Sequence, residues 1–177
     1  MSSGYRDGVR VLRPLTHDDL DLLLAVQREG AVAGLGHLFP QDEHPFPTDE
    51  VRGRWAREID DPAVDCFAVV QGGELAGFAA TRGDELLHFG TALRTWGSGL
   101  ADAAHDDVLD HLRGRGHDRA WLRVFDENRR AVRFYLRHGW AATETTTRTI
   151  FPPHPVLRRY ERDLTAWGRP YAGTVAT

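Results

Sequence analysis

The stretch RTWGSG at residues 94–99 lies between a predicted strand and a predicted helix, and it decides our interpretation of the fold. Gly97 and Gly99 let the backbone turn tightly and approach a ligand closely, because neither carries a side chain. The amides of this turn and of the helical turn beginning at Leu100 lack intrahelical partners at the positive end of the helix dipole. Such a site favours phosphate, and Arg94 adds a charged donor. A glycine-rich turn with nothing bound is the alternative, because short glycine motifs often match by chance.

Hydrophobic periodicity places this turn within a mixed α/β sheet covered by helices. Thr16 and Asp19 are spaced as a capping box at the start of the first helix, and Gly72–Gly73 is typical of a tight hairpin turn. We predict strands at residues 9–13, 67–70, 75–81, 85–93, 121–125, 141–150 and 156–164, and helices at 16–29, 100–112, 129–138 and from residue 48. We predict one domain at residues 1–164 and a tail at 165–177, since no linker or repeat divides the chain.

Composition excludes several classes of protein. The chain has 177 residues, of which 41% are hydrophobic, a formal net charge of −4 and one cysteine. A net negative charge argues against a nucleic-acid partner, and a single cysteine excludes an internal disulfide framework. No apolar run approaches the ~20 residues of a membrane helix, and the N-terminal residues lack the apolar stretch of a signal peptide. These features predict a cytoplasmic protein with a small-molecule or peptide partner.

A second motif follows one predicted strand later. Residues 128–140 read NRRAVRFYLRHGW. Together with residues 94–99, this motif resembles the GNAT superfamily of acetyl-CoA-dependent N-acetyltransferases. The phosphate loop of that family reads Gln/Arg-x-x-Gly-x-Gly/Ala, and its second signature reads Asn-x-x-Ala-x-x-Phe-Tyr-x-x-x-Gly-Phe. The chain matches these motifs at Arg94, Gly97, Gly99, Asn128, Ala131, Phe134, Tyr135 and Gly139, and has Trp140 in place of the final phenylalanine.

The resemblance implies a mainly antiparallel sheet whose central strands splay apart to form a cleft for acetyl-CoA. Pantetheine would pair there with the exposed strand edge, and Gly90 would mark a bulge or, alternatively, a packing glycine. The arginines that begin the second motif are candidates for the 3′-phosphate. The implied cofactor-binding residues are Phe89, Gly90, Thr91, Arg94, Thr95, Trp96, Gly97, Ser98, Gly99, Leu100, Asn128, Arg129, Arg130 and Tyr135.

Tyr135 is the implied general acid that protonates the leaving thiolate of CoA. The pKa of tyrosine is ~10 and that of a thiol is ~8.5, so the two values are close enough for proton transfer. The alternative is an aromatic core residue, because Tyr135 shares a helix face with Ala131, Phe134 and His138.

The attacking amine must lose a proton, because an alkylamine with a pKa of ~10.4 is mostly protonated at neutral pH. Three residues before the phosphate loop are candidates for the base: His88, Asp84 and Glu85. His88 has the most suitable intrinsic pKa, and strict strand alternation would place Asp84 on the same face. A packed histidine is the alternative at position 88, and the choice between these residues stays open.

The segment at residues 30–47 is long for a connection and predicts a binding loop. Its aromatic and acidic side chains suit a cationic amine, and a solvated loop is the alternative. The candidate acceptor-binding residues are His37, Phe39, Asp42, Glu43, His44 and, on the following helix, Trp55. The nine histidines of the chain lack metal-ligand spacing, so we predict no metal.

The resemblance implies transfer of acetyl from acetyl-CoA to a primary amine by direct attack. The predicted acceptor is a small molecule, conceivably an antibiotic or another secondary metabolite. Two alternatives remain: acetylation of a protein N-terminus or of aminoacyl-tRNA, and a sensor that binds acetyl-CoA without catalysis. Trp167 and Tyr171 in the tail could dock on this domain or on a second copy, which would give a homodimer.

Overall fold

The computed structural model describes residues 10–165, so Val9 and the aromatic residues of the tail lie outside the described part of the chain. The strands are β1 Leu12–Pro14, β2 Val64–Gln71, β3 Glu74–Arg82, β4 Glu85–Thr91, β5 Arg119–Phe125, β6 Ala141–Arg148 and β7 Val156–Asp163. The helices are α1 Leu20–Leu35, α2 Thr48–Asp60, α3 Leu100–Gly114 and α4 Arg129–Arg137, with short 3-10 turns at His17–Asp19 and Leu93–Thr95. None of the helices described is long and apolar enough to cross a membrane.

The seven strands form one sheet in the order β1-β2-β3-β4-β5-β7-β6. Neighbouring strands are antiparallel except β4 and β5, which run parallel. Helices α1 and α2 pack on one face around Trp55, and α3 and α4 pack on the other around Leu109 and Tyr135. This arrangement confirms the predicted mixed, mainly antiparallel sheet flanked by helices.

Local signals at the ends of elements are mostly confirmed. The amide of Thr16 donates to the carboxylate of Asp19 at 2.9 Å, as the capping box predicts. Gly72 and Gly73 join β2 to β3 as a hairpin. Thr48 is the first residue of α2, and Pro47 takes the cap position that the sequence assigns to Thr48.

The prediction that the first helix ends near Gly30 is wrong. Helix α1 continues to Leu35, which shortens the connection to α2 to residues 36–47. A Cβ at Gly30 or Gly34 would lie 3.9 or 3.6 Å from the ring of Trp96. A helical glycine costs only about 1 kcal/mol relative to alanine, so Gly30 does not have to end the helix.

Strand β4 contains a bulge that the sequence does not reveal. Ala80 pairs with His88 whereas Thr81 pairs with Leu86, so Leu87 is the extra residue. The bulge interrupts the alternation of side chains. Leu86 therefore packs with α3 and α4, whereas His88 lies on the opposite face beside Trp55 of α2. The strict alternation assumed between Asp84 and His88 is therefore interrupted at Leu87.

The bulge is not at Gly90, which pairs regularly with Phe78. A Cβ at Gly90 would lie 2.6 Å from the Phe78 ring, so Gly90 is the packing glycine of the alternative interpretation. Strand β4 ends at Thr91, two residues before the predicted end, because the 3-10 turn begins at Leu93.

Candidate active site

A cavity of about 630 Å³ opens where the two parallel strands separate. Strands β4 and β5 pair only at Glu85 and Trp121, next to a bond from the Trp121 amide to the Asp84 carbonyl at 3.1 Å. Beyond this vertex the cavity is lined from both faces of the sheet. One side of the cavity lies against α3 and α4, and the other lies against α1. We call them the cofactor side and the acceptor side, after the predictions from the sequence.

Four backbone amides on the cofactor side lack a hydrogen-bond acceptor among residues 10–165. They belong to Gly97, Gly99, Ala101 and Asp102, and all four residues line the cavity. Gly97 and Gly99 have φ angles of 81° and 89°, a conformation that L side chains rarely adopt. A Cβ at either glycine would meet nothing within 4 Å. The loop therefore presents main-chain donors to open space at the positive end of α3, as a phosphate site requires.

Other groups in this loop serve the protein itself. The amides of Thr95, Trp96 and Ser98 donate to backbone carbonyls, and the Thr95 hydroxyl donates to the Ala92 carbonyl at 2.7 Å. The Ser98 hydroxyl accepts from the amide of Leu100 at 3.3 Å. These bonds hold the loop in shape and leave only part of it for a ligand.

Arg94 does not line the cavity. Its guanidinium lies 3.8 Å from the exposed Glu74 carboxylate, next to the loop rather than over it. The structure gives no contact through which Arg94 would reach a phosphate in this conformation.

Trp96 lines the cavity and contacts three elements around it. Its Nε1 donates to the Thr91 carbonyl at 3.0 Å, and its ring lies against Gly30 and Gly34 of α1. The guanidinium of Arg130 lies 4.0 Å from the ring centroid, within the range of a cation–π contact. Trp96 thus connects α1, the phosphate loop and α4.

The free edge of β4 lies along the cavity. The Ala92 amide donates to Ala76 of β3, and bonding residues alternate in an antiparallel ladder. Phe89 and Thr91 therefore direct their backbone groups away from β3, toward the diverging strand β5. In the described chain no strand pairs with this outer edge of the two residues, although the Thr91 carbonyl accepts from Trp96. Both residues line the cavity together with Gly90.

The second motif positions Tyr135. The side chain of Asn128 caps α4 by accepting from the Ala131 amide at 3.2 Å. One helical turn later Tyr135 is buried between Phe134 and Trp140, and it lines the cavity. Burial raises the pKa of its phenol above the ordinary value of 10. No hydrogen bond from another described residue involves its hydroxyl, so this group is available to a ligand.

His88 lines the acceptor side and is paired with a buried acid. Its Nε2 lies 2.8 Å from Oε2 of Glu58, and its ring lies 4.8 Å from that of Trp55. Burial lowers the pKa of His88, although Glu58 opposes this effect. Since the carboxylate accepts from Nε2–H, the lone pair of the neutral imidazole is at Nδ1.

Sequence analysis missed Glu58. It is 7% exposed and follows Val51 and Trp55 on the buried face of α2. The spacing of seven residues from Val51 places an acid on the apolar stripe, and this signal is visible in the sequence.

Comparison with known proteins identifies the fold. The profile of the acetyltransferase (GNAT) family matches residues 37–140, more than half of the chain. The chain belongs to the GNAT family. No curated protein sequence matches it.

Solved structures show the same GNAT fold. The PaiA N-acetyltransferase of Thermoplasma acidophilum, in complex with coenzyme A, has a TM-score of 0.73 and 16% identity over 86% of this chain and 97% of that chain. The ribosomal-protein-S18-alanine N-acetyltransferase of Escherichia coli has a TM-score of 0.64 and 22% identity over 89% and 96%. A spermidine N-acetyltransferase SpeG chimera, from Vibrio cholerae and hSSAT, has a TM-score of 0.66 and 21% identity over 87% and 95%.

The two acids proposed as bases lie at the vertex of the GNAT cleft. Asp84 accepts from the Trp121 indole at 3.0 Å, and Glu85 lies 3.3 Å from the guanidinium of Arg123. Burial raises the pKa of Glu85, and Arg123 opposes this effect. Neither acid lines the cavity, and both instead bond to side chains of β5.

The predicted acceptor loop contributes less to this GNAT cavity than its sequence suggests. Asp42 and Glu43 are exposed, and none of the six predicted acceptor-binding residues lines the main cavity. The Phe39 ring packs 5.7 Å from that of Phe125, and the amide of His44 donates to the Pro40 carbonyl. His37 bonds to the Glu127 carbonyl and, with Arg129, lines a second, smaller cavity.

Trp55 is inaccessible to an acceptor. Its side chain is fully buried, and its Nε1 donates to Gln27 at 2.8 Å. As a core residue of α2, Trp55 packs its ring against the rings of His88 and Phe78.

A carboxylate stands at the start of α3 but is neutralised by neighbours. Asp102 accepts from His138 at 2.6 Å and from Arg137 at 2.7 Å. Partial burial opposes ionisation, yet these hydrogen bonds outweigh it and lower the pKa of Asp102. The acid therefore orients two cationic or polar side chains of α4 beside the phosphate loop.

His105, Asp106 and His138 bring ligand atoms within 4.8 Å of one another. However, Nε2 of the fully buried His105 accepts from the Trp140 indole at 2.9 Å. Neutral imidazole then has its proton at Nδ1, the remaining ring nitrogen. A metal ligand needs a lone pair there, so this cluster does not fit a metal ion.

Proposed function

We propose that this protein transfers the acetyl group of acetyl-CoA to the primary amine of a small molecule by direct attack. The observation that supports this most strongly is the cavity between β4 and β5. It has four unpaired amides on one side of the sheet and the His88–Glu58 pair on the other. One passage thus joins a phosphate site to a proton acceptor.

The cofactor side fits CoA. The amides at Gly97, Gly99, Ala101 and Asp102 would bind the diphosphate, and Phe89 and the Thr91 amide would pair with pantetheine. On α4, Arg130, Arg133 and Arg137 line the same cavity and offer positive charge to phosphate. When bound, acetyl-CoA supplies the activated acetyl group as a thioester.

His88 is proposed to remove the proton of the attacking amine. Its lowered pKa keeps it neutral at physiological pH, so Nδ1 can accept a proton. Glu58 acts as a positioning residue, since its hydrogen bond fixes the tautomer and favours the imidazolium that forms. This arrangement separates the base on the acceptor side from Tyr135 on the cofactor side.

Tyr135 is proposed to donate a proton to the thiolate that leaves. Its buried phenol remains protonated across the physiological range because its pKa is raised. The developing negative charge on sulfur in an apolar cavity favours this transfer.

The proposal is tested by release of free thiol. Purified full-length protein is incubated with acetyl-CoA and a panel of primary amines, and a reaction without amine measures hydrolysis. Amine-dependent thiol release with matching acetylated product is expected. Tight CoA binding with no release above hydrolysis for any amine would contradict catalysis and favour a sensor.

Changing His88→Gln is expected to lower kcat about tenfold, because solvent replaces the base only partly while glutamine still donates to Glu58. In the unchanged protein, kcat should fall as the pH drops through a value below 6.5, where His88 gains a proton. This acidic limb should be absent in the variant. The measurement is kcat from pH 5 to 9.

His111→Gln is the matched control for this test. His111 also pairs with a carboxylate, Asp65, at 2.9 Å, but it does not line the cavity. Its replacement should leave kcat and the acidic limb unchanged. A His88→Gln protein with the original kcat and the original limb would remove His88 as the base.

A further inference from the structure

On β5, the charged side chain that lines the acceptor side is Arg123, whereas the acids Glu58 and Glu85 lie outside the lining and are bonded to His88 and Arg123. Apart from Arg123, the lining residues on this side are apolar or neutral, such as Gln27, Phe78 and His88. Asp102 is the one carboxylate among the lining residues of the described chain, and it lies on the cofactor side bound to His138 and Arg137. A cationic chain beyond the reacting amine would therefore meet no acid in this cavity.

Strand alternation directs Arg123 to the acceptor side. Leu122 and Val124 pack with α3 and α4, so Arg123 between them faces the α1 side. Its guanidinium makes one ion pair, a 3.3 Å contact from one terminal nitrogen to Glu85. The side chain is 41% exposed. Its remaining N–H donors have no protein acceptor within residues 10–165, so they are available to a ligand.

A neighbouring arginine reinforces this charge. Arg159 is the cross-strand partner of Arg123, and both guanidinium groups lie over the ring of Trp121, at 4.3 and 5.8 Å respectively. Arg159 pairs with Glu161 at 2.8 Å and does not line the cavity. Arg123 is thus the cation that reaches the acceptor, and Arg159 is suitable as a control.

We propose that the acceptor amine also carries an anionic oxygen group, a carboxylate or a phosphoryl group, that Arg123 binds. This inference rests on the proposed function and specifies its substrate class. A planar guanidinium recognises either group through paired hydrogen bonds, and the apolar rings of Phe78 and Phe125 suit an apolar side chain next to it. A polyamine fits poorly, because its second ammonium would face Arg123.

The experiment compares acceptors that differ only in this group. Thiol release is measured with phenylalanine and leucine, with their carboxamides, with the aminophosphonate analogue of phenylalanine, and with spermidine. We expect kcat/KM for the amino acids or for the aminophosphonate to exceed that for the carboxamides by about tenfold to a hundredfold. The anionic acceptor with the higher kcat/KM shows whether Arg123 recognises a carboxylate or a phosphoryl group.

Arg123→Gln should reduce this preference to near unity by lowering kcat/KM for the anionic acceptors alone. Arg123→Lys should keep part of it, and Arg159→Gln should keep all of it. Since Arg123→Gln leaves the buried Glu85 unpaired, its melting temperature is measured, and the lysine variant tests the charge if the glutamine variant unfolds.

The outcomes separate the two proposals. Efficient acetylation of the carboxamides or of spermidine would contradict the proposal that the acceptor is anionic. A preference that is unchanged in Arg123→Gln would contradict it too. Neither result would contradict the proposed acetyltransferase function. No thiol release with any amine would instead overturn the proposed function itself.

Discussion

Replacing Gly99→Asp is expected to weaken CoA binding by about a hundredfold or more. Gly99 has a φ of 89°, and a Cβ there would point into space free of protein atoms within 4 Å. We assign that space to the diphosphate. An aspartate would place bulk and a like charge against it, and a hydrogen bond lost to a charged ligand already costs ~1.5–3 kcal/mol. Calorimetric titration with CoA measures the effect.

Gly116→Asp provides a matched control. Gly116 has a φ of 86°, and a Cβ there also meets nothing within 4 Å. It lies beyond the far end of α3, which by its 15 residues is about 22 Å long. The substitution therefore introduces the same backbone strain and the same charge away from the cavity. Affinity should survive in this variant, and CoA binding retained equally by Gly99→Asp would mean that the phosphate loop is misassigned.

Tyr135→Phe is expected to lower kcat by about a hundredfold or more with little change in CoA affinity. The substitution removes one hydroxyl and keeps the ring that packs between Phe134 and Trp140. Loss of a general acid typically costs ~10²–10⁴ in rate. Steady-state kcat and a CoA titration of the same protein preparation separate catalysis from binding.

Tyr160→Phe is the control for this substitution. Tyr160 is buried in the same cluster but does not line the cavity. Its replacement should leave kcat near the original value. Since the pKa of Tyr135 is raised, no loss of kcat attributable to its ionisation is expected below pH 10. Unchanged turnover in Tyr135→Phe would remove Tyr135 as the acid.

The loop and the second motif were predictable because their requirements are local. Gly97 and Gly99 have the left-handed conformation that a glycine pair suggests, and Asn128 caps its helix within three residues. Such signals depend on nearby backbone groups and are therefore visible in the sequence. Binding of CoA at this loop and proton donation by Tyr135 remain predictions.

What escaped prediction depends on distant contacts. The bulge at Leu87 directs His88 toward Glu58, a partner 30 residues away in sequence. Helix α1 continues past Gly30, beside the ring of Trp96 from a distant part of the sequence. No local pattern encodes either partner, although the spacing of Glu58 on α2 was a usable signal.

Because β4 and β5 pair only at Glu85 and Trp121, the sheet consists of two parts with little backbone bonding between them. Strands β1 to β4 form one ribbon and β5, β7 and β6 another, and each ribbon is paired antiparallel throughout. Asp84 and Glu85 fasten the two ribbons at one end through Trp121 and Arg123. At the other end, a molecule seated in the gap would supply the cross-links that the backbone omits. Ligand binding would therefore add to the cohesion of the two ribbons, which already share the core around Leu109.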